Sequence, residues 1–459
     1  MFALKPLAVA LLMLSGSYAL AANNTATQTQ DGNYNEATLE QTGEGNTATQ
    51  LQSGEFSRSA IVQIGNNNSA ETNQQAQFSS ANVIQLEQSG NGSTAAITQQ
   101  NLGFGHEATV TQRGDGNDVT LDQQEGNGSV ATLYQEGEGN THTILQRNYA
   151  NELEVISIGN RNAVTVRQNG GGGSEPMRAE QRGDGNTMDL EQHVTYAGGD
   201  MAVYQEGNDH SATVYQSSGR YGQIDLTLNQ LGSANTAEVT QNADMVQLAL
   251  TQDGTGNTAS VHQQLWRGGF TGTTTGNNNV MTVIQDGISL NATASQQGDS
   301  NTLSVSQAGV DNSADVFQTG TGNAATVVQT EVFSLENVNG SALITQNGDN
   351  NAATINQLVN RNGSGSIEQT GLANQATIQQ EDFIGGNSAD IVQSGDNLEA
   401  TITQQVSASA NRAEITQNVS GNIASITQGG RVNGDITLGG NSATIAQTGL
   451  NNTASIVQQ

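Results

Sequence analysis

Amide and small apolar side chains alternate with other, mostly polar side chains along most of the chain. The pattern recurs in copies of about eleven residues. One copy runs from Gln41 through Gly43, Asn46 and Ala48 to Gln52, and in many copies a branched aliphatic residue precedes the final Gln by two positions. Alternate residues of a β-strand face the same side, so the Asn, Ala, aliphatic and Gln positions share one face. Each copy is therefore predicted to be one strand, followed by a Gly- and Asn-rich turn.

The same spacing recurs along the chain, without the 3.6-residue period that a helix would require. We predict that the shared face points inward and that its residues form structural ladders along a stack of strands. The ladder residues assigned from the clearest copies are Gln41, Gly43, Asn46, Ala48, Gln52, Gln230, Gly232, Asn235, Ala237, Gln241, Gln252, Gly254, Asn257, Ala259, Gln263, Gln318, Gly320, Asn323, Ala325, Gln329, Gln447, Gly449, Asn452, Ala454 and Gln458.

Successive strands must reverse direction if the chain is to stay compact. When two copies face each other as an arch, the Asn end of one strand opposes the Gln end of the other. Two strands then make one rung of about 22 residues. Stacked rungs give each backbone amide a partner above and below, and the inward amides form ladders. The predicted fold is all-β: an amyloid-like cross-β solenoid of strand-turn-strand rungs.

The first 21 residues are typical of a secretory signal peptide. Lys5 supplies a positive start, an apolar run follows from Leu7 to Leu14, and Ala19 and Ala21 fit a cleavage site. We expect 22–29 to be a short N-terminal segment and 30–459 to be the repeat solenoid. The pattern breaks at a few places, which we interpret as loop insertions near 169–180, 193–202, 265–278 and 330–336.

Composition narrows the possible functions. Hydrophobic residues are 34% of the chain, charged residues 12%, and the formal net charge is −30, with no Cys. Such acidity, without a basic run, argues against nucleic-acid binding and against attraction to anionic lipid. No apolar stretch is long enough to insert in a membrane, and the five His stand in no metal-binding pattern. We predict no catalytic residue, no cofactor and no metal site, and therefore not an enzyme.

The repeat resembles that of the curlin family, the subunits of bacterial curli fibres. That family alternates a Ser/Asn-x-Leu-x-Ile-x-Gln strand with a Gly-x-x-Asn-x-Ala-x-x-x-Gln strand. The stretch Gln223–Gln263 carries both patterns, with the matching residues Leu226, Leu228, Gln230, Gly232, Asn235, Ala237 and Gln241. The resemblance covers essentially all of Gln30–Gln459.

The resemblance implies a secreted, structural subunit of functional amyloid in the biofilm matrix of a Gram-negative bacterium, with roles in adhesion and cell aggregation. It implies assembly with copies of itself into a homopolymer fibre, a separate nucleator subunit, and export through the outer-membrane curli secretion apparatus. A basic terminal repeat marks the family's minor, nucleating subunit. No basic residue follows Arg431, which favours the major, structural type.

Two alternatives remain open: the minor nucleating subunit, and a monomeric β-solenoid that binds a ligand, as an ice-binding protein or adhesin stalk does. Thr is frequent at the outward position after Ala, as a Thr array for ice requires, at Thr38, Thr109, Thr132, Thr213, Thr326 and Thr354. The next outward column is mixed. We also expect outward carboxylates to repel one another in the stack and to slow assembly, for example Glu36, Glu71, Glu107, Asp189 and Asp390.

Overall fold

The structure is a computed structural model that describes residues 23–76, 81–101, 103–126, 128–148, 150–170, 177–194, 199–219, 223–330, 339–358, 362–381, 386–405, 410–429, 431–432, 435–436 and 440–458. The chain divides into two compact units, 1–226 and 227–459. Strand makes up 74% of the structure, and no helix occurs in the described ranges. Both units are parallel β-solenoids, which confirms the predicted fold class.

The first unit is built from short strands separated by turns. Its strands are β1 (Thr25–Asn33), β2 (Glu36–Thr42), β3 (Thr47–Glu55), β4 (Arg58–Ile64), β5 (Ser69–Ala76), β6 (Val83–Ser89), β7 (Thr94–Asn101), β8 (Glu107–Arg113), β9 (Asp118–Gly126), β10 (Val130–Glu136), β11 (Thr141–Arg147), β12 (Glu152–Ile158), β13 (Ala163–Asn169), β14 (Met177–Arg182), β15 (Thr187–Val194), β16 (Met201–Asn208) and β17 (Ser211–Ser218).

The division between the units falls inside the next strand, β18 (Ile224–Ser233). The second unit continues with β19 (Thr236–Asn242), β20 (Asp244–Thr255), β21 (Thr258–Asn277), β22 (Val280–Gln297), β23 (Thr302–Val310), β24 (Ser313–Thr319), β25 (Ala324–Thr330), β26 (Ser341–Asn347), β27 (Ala352–Leu358), β28 (Ser364–Thr370), β29 (Gln375–Glu381), β30 (Ser388–Ser394), β31 (Glu399–Gln404), β32 (Arg412–Asn418), β33 (Ile423–Gln428), β34 (Arg431–Val432), β35 (Asp435–Ile436), β36 (Ser442–Gln447) and β37 (Thr453–Gln458).

Equivalent strands of successive rungs pair in parallel and in register. Strand β19 aligns with β21 so that Ala237 lies beside Ala259 and Gln241 beside Gln263. A rung takes roughly 23 residues, close to the expected 22. The step is 22 residues from Gln230 to Gln252 but 28 from Gln318 to Gln346. The extra residues lie between strands, so the register of the stack is kept.

Inward and outward positions separate as the alternation predicts. Asn46, Ala48 and Gln52 are fully buried, whereas the intervening Thr47 is exposed. The Gln252 amide nitrogen Nε2 donates to the backbone oxygen of Asn257, at the start of the following strand, over 3.2 Å. The Gln end of one strand therefore opposes the Asn end of the next, as expected for an arch.

The stretch 265–278 is not a loop insertion, and this expectation was wrong. Residues up to Asn277 belong to strand β21, which pairs in register with β20 and β22. Phe270 is buried at the Ala position, and Gly272 follows at the aliphatic position. A Cβ atom on Gly272 would lie 2.5 Å from Cζ of the Phe270 ring. The large residue stands where Ala is usual, and the small one stands where a branched aliphatic residue is usual. The interior therefore stays filled, although the sequence no longer matches the motif.

Several other expectations fall partly or wholly outside the described residues. Strands β14 and β16 resume the stack at Met177 and Met201. Strand β1 begins at Thr25, inside the segment 22–29 that was expected to precede the repeat. The expected signal peptide and the centres of the remaining insertions lie outside the described residues, at 1–21, 171–176, 195–198 and 331–336.

Candidate functional site: the amide ladders

Inward glutamines form hydrogen-bonded ladders with one direction. Nε2 of Gln230 donates to Oε1 of Gln252 over 2.9 Å, and Nε2 of Gln241 donates to Oε1 of Gln263 over 3.0 Å. The donor stands on the earlier rung in both cases. The second amide proton goes to a backbone oxygen across the arch, as from Gln252 to Thr236 at 3.0 Å. These amides are therefore hydrogen-bonded although they are buried, as polar groups in a protein interior must be.

Asparagines at the strand entrances form a second ladder. The backbone N–H of Asn257 donates to Oδ1 of Asn235 over 2.9 Å, while Nδ2 of Asn257 donates to the backbone oxygen of Gly276 over 2.8 Å. Asn323 repeats both bonds, through Oδ1 of Asn301 and the Gly348 oxygen. Each carboxamide thus ties a turn to the next rung.

A glycine stands two residues after the Gln position in most even-numbered ladder strands, and the stacking requires it at several of them. Gly254 has a φ of +125°, and a Cβ atom there would lie 2.0 Å from the backbone oxygen of Gly276. Gly43 and Gly320 meet the same obstacle, each with a distance of 2.0 Å to the glycine oxygen of the next rung. At these three positions a side chain would meet both an unfavourable backbone conformation and the backbone oxygen of the next rung.

Sequence comparison finds this repeat in the chain. A family model described as the curlin associated repeat matches residues 276–309 and 386–418. The chain is a curlin-repeat protein. No curated protein matches it in a sequence comparison. The two matched stretches lie in the second unit, and their strands share the ladder geometry of the other repeats there.

Most predicted ladder residues of this curlin-repeat protein lie inside the stack. Those that are buried are Asn46, Ala48, Gln52, Gln230, Asn235, Ala237, Gln241, Gln252, Asn257, Ala259, Gln263, Gln318, Asn323, Ala325, Gln329 and Gln447. Gln41, Ala454 and Gln458 are half-buried, and Gly449 and Asn452 are exposed. These five belong to the outermost described strands or their turns, where only one neighbouring rung covers them. Gly232 is exposed at its turn.

A third ladder, which the repeat pattern did not predict, runs along the turns. The residue after the turn glycine carries an Asn or Asp in many copies. Oδ1 of Asp115 accepts the backbone N–H of Asn91 at 2.7 Å, and Oδ1 of Asp184 accepts that of Asn160 at 2.7 Å. These acids therefore cap backbone donors of the preceding rung. The recurrence of Asn and Asp at this position was the available sequence signal.

The Gln ladder of the even-numbered strands is interrupted in the second unit. Thr274 stands in register between Gln252 and Gln296. Its hydroxyl and the Oε1 atom of Gln296 are buried without a hydrogen-bond partner in the described structure. Thr is too short to span the rung spacing, so it neither receives the Gln252 amide nor reaches Gln296.

Outward carboxylates are mostly kept apart, contrary to the expectation of repulsive stacks. Arg58 Nε lies 2.9 Å from Glu36, and Arg167 Nη1 lies 2.8 Å from Asp189. In register, Glu71 stands between Thr49 and Ala96, and Glu107 between Val83 and Val130.

Asp390 is the member of that set with a like charge beside it, Glu414. Burial raises the pKa of Asp390, the Ser366 hydroxyl opposes that shift, and Glu414 adds to it. In-register stacking therefore brings together residues 22 positions or more apart. The repeat motif does not specify the outward residues, so it did not predict which charges would become neighbours.

No cluster of three or more metal-binding side chains occurs in the described parts of this curlin-repeat protein. The same residues include no helix able to span a membrane. The Gln ladders instead form a repeated series of hydrogen bonds in which each rung donates to the next.

Proposed function

We propose that this curlin-repeat protein is a secreted structural subunit that polymerises into extracellular, curli-like amyloid fibres for biofilm matrix, adhesion and cell aggregation. The observation that carries the proposal is the single direction of the Gln ladder, in which each rung presents donors to the next. Strand β37 pairs in parallel with β33 in the described chain, and its Ile456 and Gln458 are half-exposed. A strand edge with these features is a template for another chain.

Strand β1 of a second copy would offer hydrogen-bond acceptors to the donors of strand β37. Strand β1 carries Ala26, Gln28 and Gln30 at inward positions, and Gln30 donates to Gln52 over 2.8 Å. Its own Oε1 atom remains available for a donor such as Nε2 of Gln458. Stacking would also bury the apolar groups of Ala26 and Ile456, which favours association.

The direct test is assembly of the purified chain without residues 1–21 after removal of denaturant. We expect fibres that diffract at about 4.8 Å and about 10 Å, the spacings of strands and sheets. Persistently soluble, folded monomers would contradict the proposal.

A matched pair of variants tests the ladder itself. Gln263→Leu removes a buried amide that bonds to Gln241 and Gln285. Gln264→Leu changes the next residue, whose side chain is exposed. We expect the first variant to slow fibre growth by tenfold or more, since two buried polar partners at about 1–3 kcal/mol each are left unpaired. Equal growth of both variants would argue against the ladder as the assembling element.

Export and partners form the second part of the proposal. The N-terminal segment 1–21 supports passage across the inner membrane, and the curlin repeat supports an extracellular destination in a Gram-negative bacterium. We infer export through the outer-membrane curli secretion apparatus and growth from a separate nucleator subunit. Immunolabelling of intact cells with and without that apparatus tests this, with surface fibres expected only when it is present.

The outward residues beside the Thr positions favour the structural role over an ice-binding monomer, because they are mixed in type. A column here means the residues that one strand position contributes along successive rungs. In the second unit the column after Ala is Ser or Thr from Ser260 to Ser455. The column before Ala contains Val280 and Ala324, and the column after the aliphatic position contains Ile284 and Asn356. A regular two-column hydroxyl array is therefore lacking in these rungs. Thermal hysteresis of the soluble chain would favour the alternative.

A further inference from the structure

Six successive rungs of the second unit, from β21 (first half) to β29, present an outer patch without charged residues. Outward glutamates bound it in the same columns, at Glu238 of β19 and Glu399 of β31. We define the neutral face as the three outward residues between the Asn and Gln positions of β21 (first half), β22 (first half), β23, β25, β27 and β29. They are Thr258, Ser260, His262, Val280, Thr282, Ile284, Thr302, Ser304, Ser306, Ala324, Thr326, Val328, Ala352, Thr354, Asn356, Gln375, Thr377 and Gln379. None of them is Asp, Glu, Lys or Arg, although the chain has a net charge of −30. The next outward residue, after the Gln position, is acidic in two of these strands, at Asp286 and Glu381, and is not part of the face.

Other outward faces carry charge over the same number of rungs. The even-numbered strands β24, β28, β30 and β32 of the second unit place acids outward at Asp315, Glu368, Asp390 and Glu414. In the first unit, the odd-numbered strands carry outward charges at Glu71, Asp118, Asp122, Arg167, Asp189 and Glu191. The neutral face is therefore the exception in a strongly acidic protein.

The side chains of the neutral face suit contact with a second sheet. Most are small, and Val280 and Ile284 are 40% and 44% exposed. Small side chains on a parallel, in-register sheet can interdigitate with those of a facing sheet at a spacing of about 10 Å. Two acidic copies repel least where both present uncharged surface.

We propose, on the basis of the proposed fibre, that the neutral face is a lateral contact through which two fibres of this protein pair, each using the same face. The neutral face is five residues wide along each strand and six rungs long, which gives an area of about 500 Å² per copy. Specific interfaces bury about 800 Å² per partner, so one such contact is too small to hold two monomers together. A fibre repeats the contact in every subunit, and the contacts then act together.

The test compares fibre bundling of charged variants by electron microscopy. Thr282→Glu combined with Thr326→Glu places two charges on the neutral face, two rungs apart. Thr251→Glu combined with Ser295→Glu places two charges two rungs apart on the outward face of the even-numbered strands. A facing like charge costs about 1 kcal/mol in water, so we expect the first variant to lower the ratio of bundled to single fibres at least fivefold. The second variant should leave this ratio unchanged.

Fibre diffraction of every sample separates this inference from the proposed function. Absence of cross-β fibres in the unmodified chain would defeat the proposed function. Cross-β fibres that bundle equally in all variants, or lose bundling equally in both, would overturn the lateral contact alone. Fibres that stay single while the unmodified chain shows thermal hysteresis would assign the neutral face to ice and would also overturn it.

Discussion

Nε2 of the His142 imidazole lies 2.9 Å from the hydroxyl oxygen of Ser157, and both residues depart from the repeat. His142 occupies an Ala position, whereas Ser157 occupies a Gln position on the next strand. The hydroxyl of Ser157 lies 3.2 Å from Oε1 of Gln181 and so keeps contact with the ladder. The large imidazole fills the space that the short Ser leaves, and both residues are fully buried.

This exchange makes the first unit sensitive to acid. Burial lowers the pKa of His142 from 6.5 to about 3, and burial also lowers that of His106. The folded form therefore binds fewer protons than the unfolded chain, so stability is full above pH 6.5 and falls as the pH drops toward 3. Each pH unit in that window costs about 1.4 kcal/mol for His142.

Circular dichroism during denaturant unfolding at pH 7 and pH 4.5 measures this loss, which we expect to be about 3 kcal/mol for His142. The double variant His142→Ala with Ser157→Gln restores the repeat and should remove that part of the acid sensitivity. His262→Ala, at an exposed position, serves as the control. Unchanged acid sensitivity in the double variant would exclude His142 as its source.

Restoring the interrupted Gln ladder should stabilise the second unit. Thr274→Gln supplies an acceptor for Gln252 and a donor for Gln296, whose Oε1 atom lacks a partner. A buried unpaired polar group costs about 1–3 kcal/mol, so we expect a gain of that size in the free energy of unfolding. The denaturant midpoint measures it, with the outward Thr273→Gln as the control. A lower midpoint for Thr274→Gln would show that the Gln does not fit the rung.

Two glycines of one turn should respond differently to substitution. A Cβ atom on Gly114 (φ +99°) would lie 2.2 Å from the Gly137 oxygen, whereas one on Gly116 (φ +65°) meets nothing within 4 Å. We expect Gly114→Ala to lower the free energy of unfolding by about 3 kcal/mol or more, since backbone strain and a steric clash add.

Gly116→Asn should cost less than about 1 kcal/mol, since Asn tolerates that backbone conformation. Thermal unfolding followed by circular dichroism compares the two variants. Similar losses would mean that φ alone, and not the approach of the next rung, accounts for the recurrence of glycine in these turns.

Neutralising Asp390 should speed assembly. Asp390→Asn removes a charge that lies in register beside Glu414. Glu71→Gln removes a charge whose in-register neighbours are Thr49 and Ala96. We expect a shorter lag before fibre growth for the first variant and little change for the second, because like charges one rung apart repel by about 1 kcal/mol in water. Equal lags in all three proteins would reject charge repulsion as a brake.

The sequence alone determined the strands, their sidedness and the residues of the Gln and Asn ladders. These features depend on local chemistry: the two-residue period of a strand and the backbone freedom of Gly and Asn in turns. Gln252 and Gln263 were predicted to point inward for this reason, and both are buried.

Only the tertiary structure decided which residues become neighbours between rungs. The step from one rung to the next varies from 22 residues at Gln230 to 30 at Gln417, because the connecting residues differ in number. The Asp390–Glu414 pair follows from a step of 24 residues at that rung. Phe270 and Gly272 do not match the motif, yet their segment forms a strand because it pairs with strands on both sides. Pairing and packing across rungs are non-local, so a pattern read along one copy does not contain them.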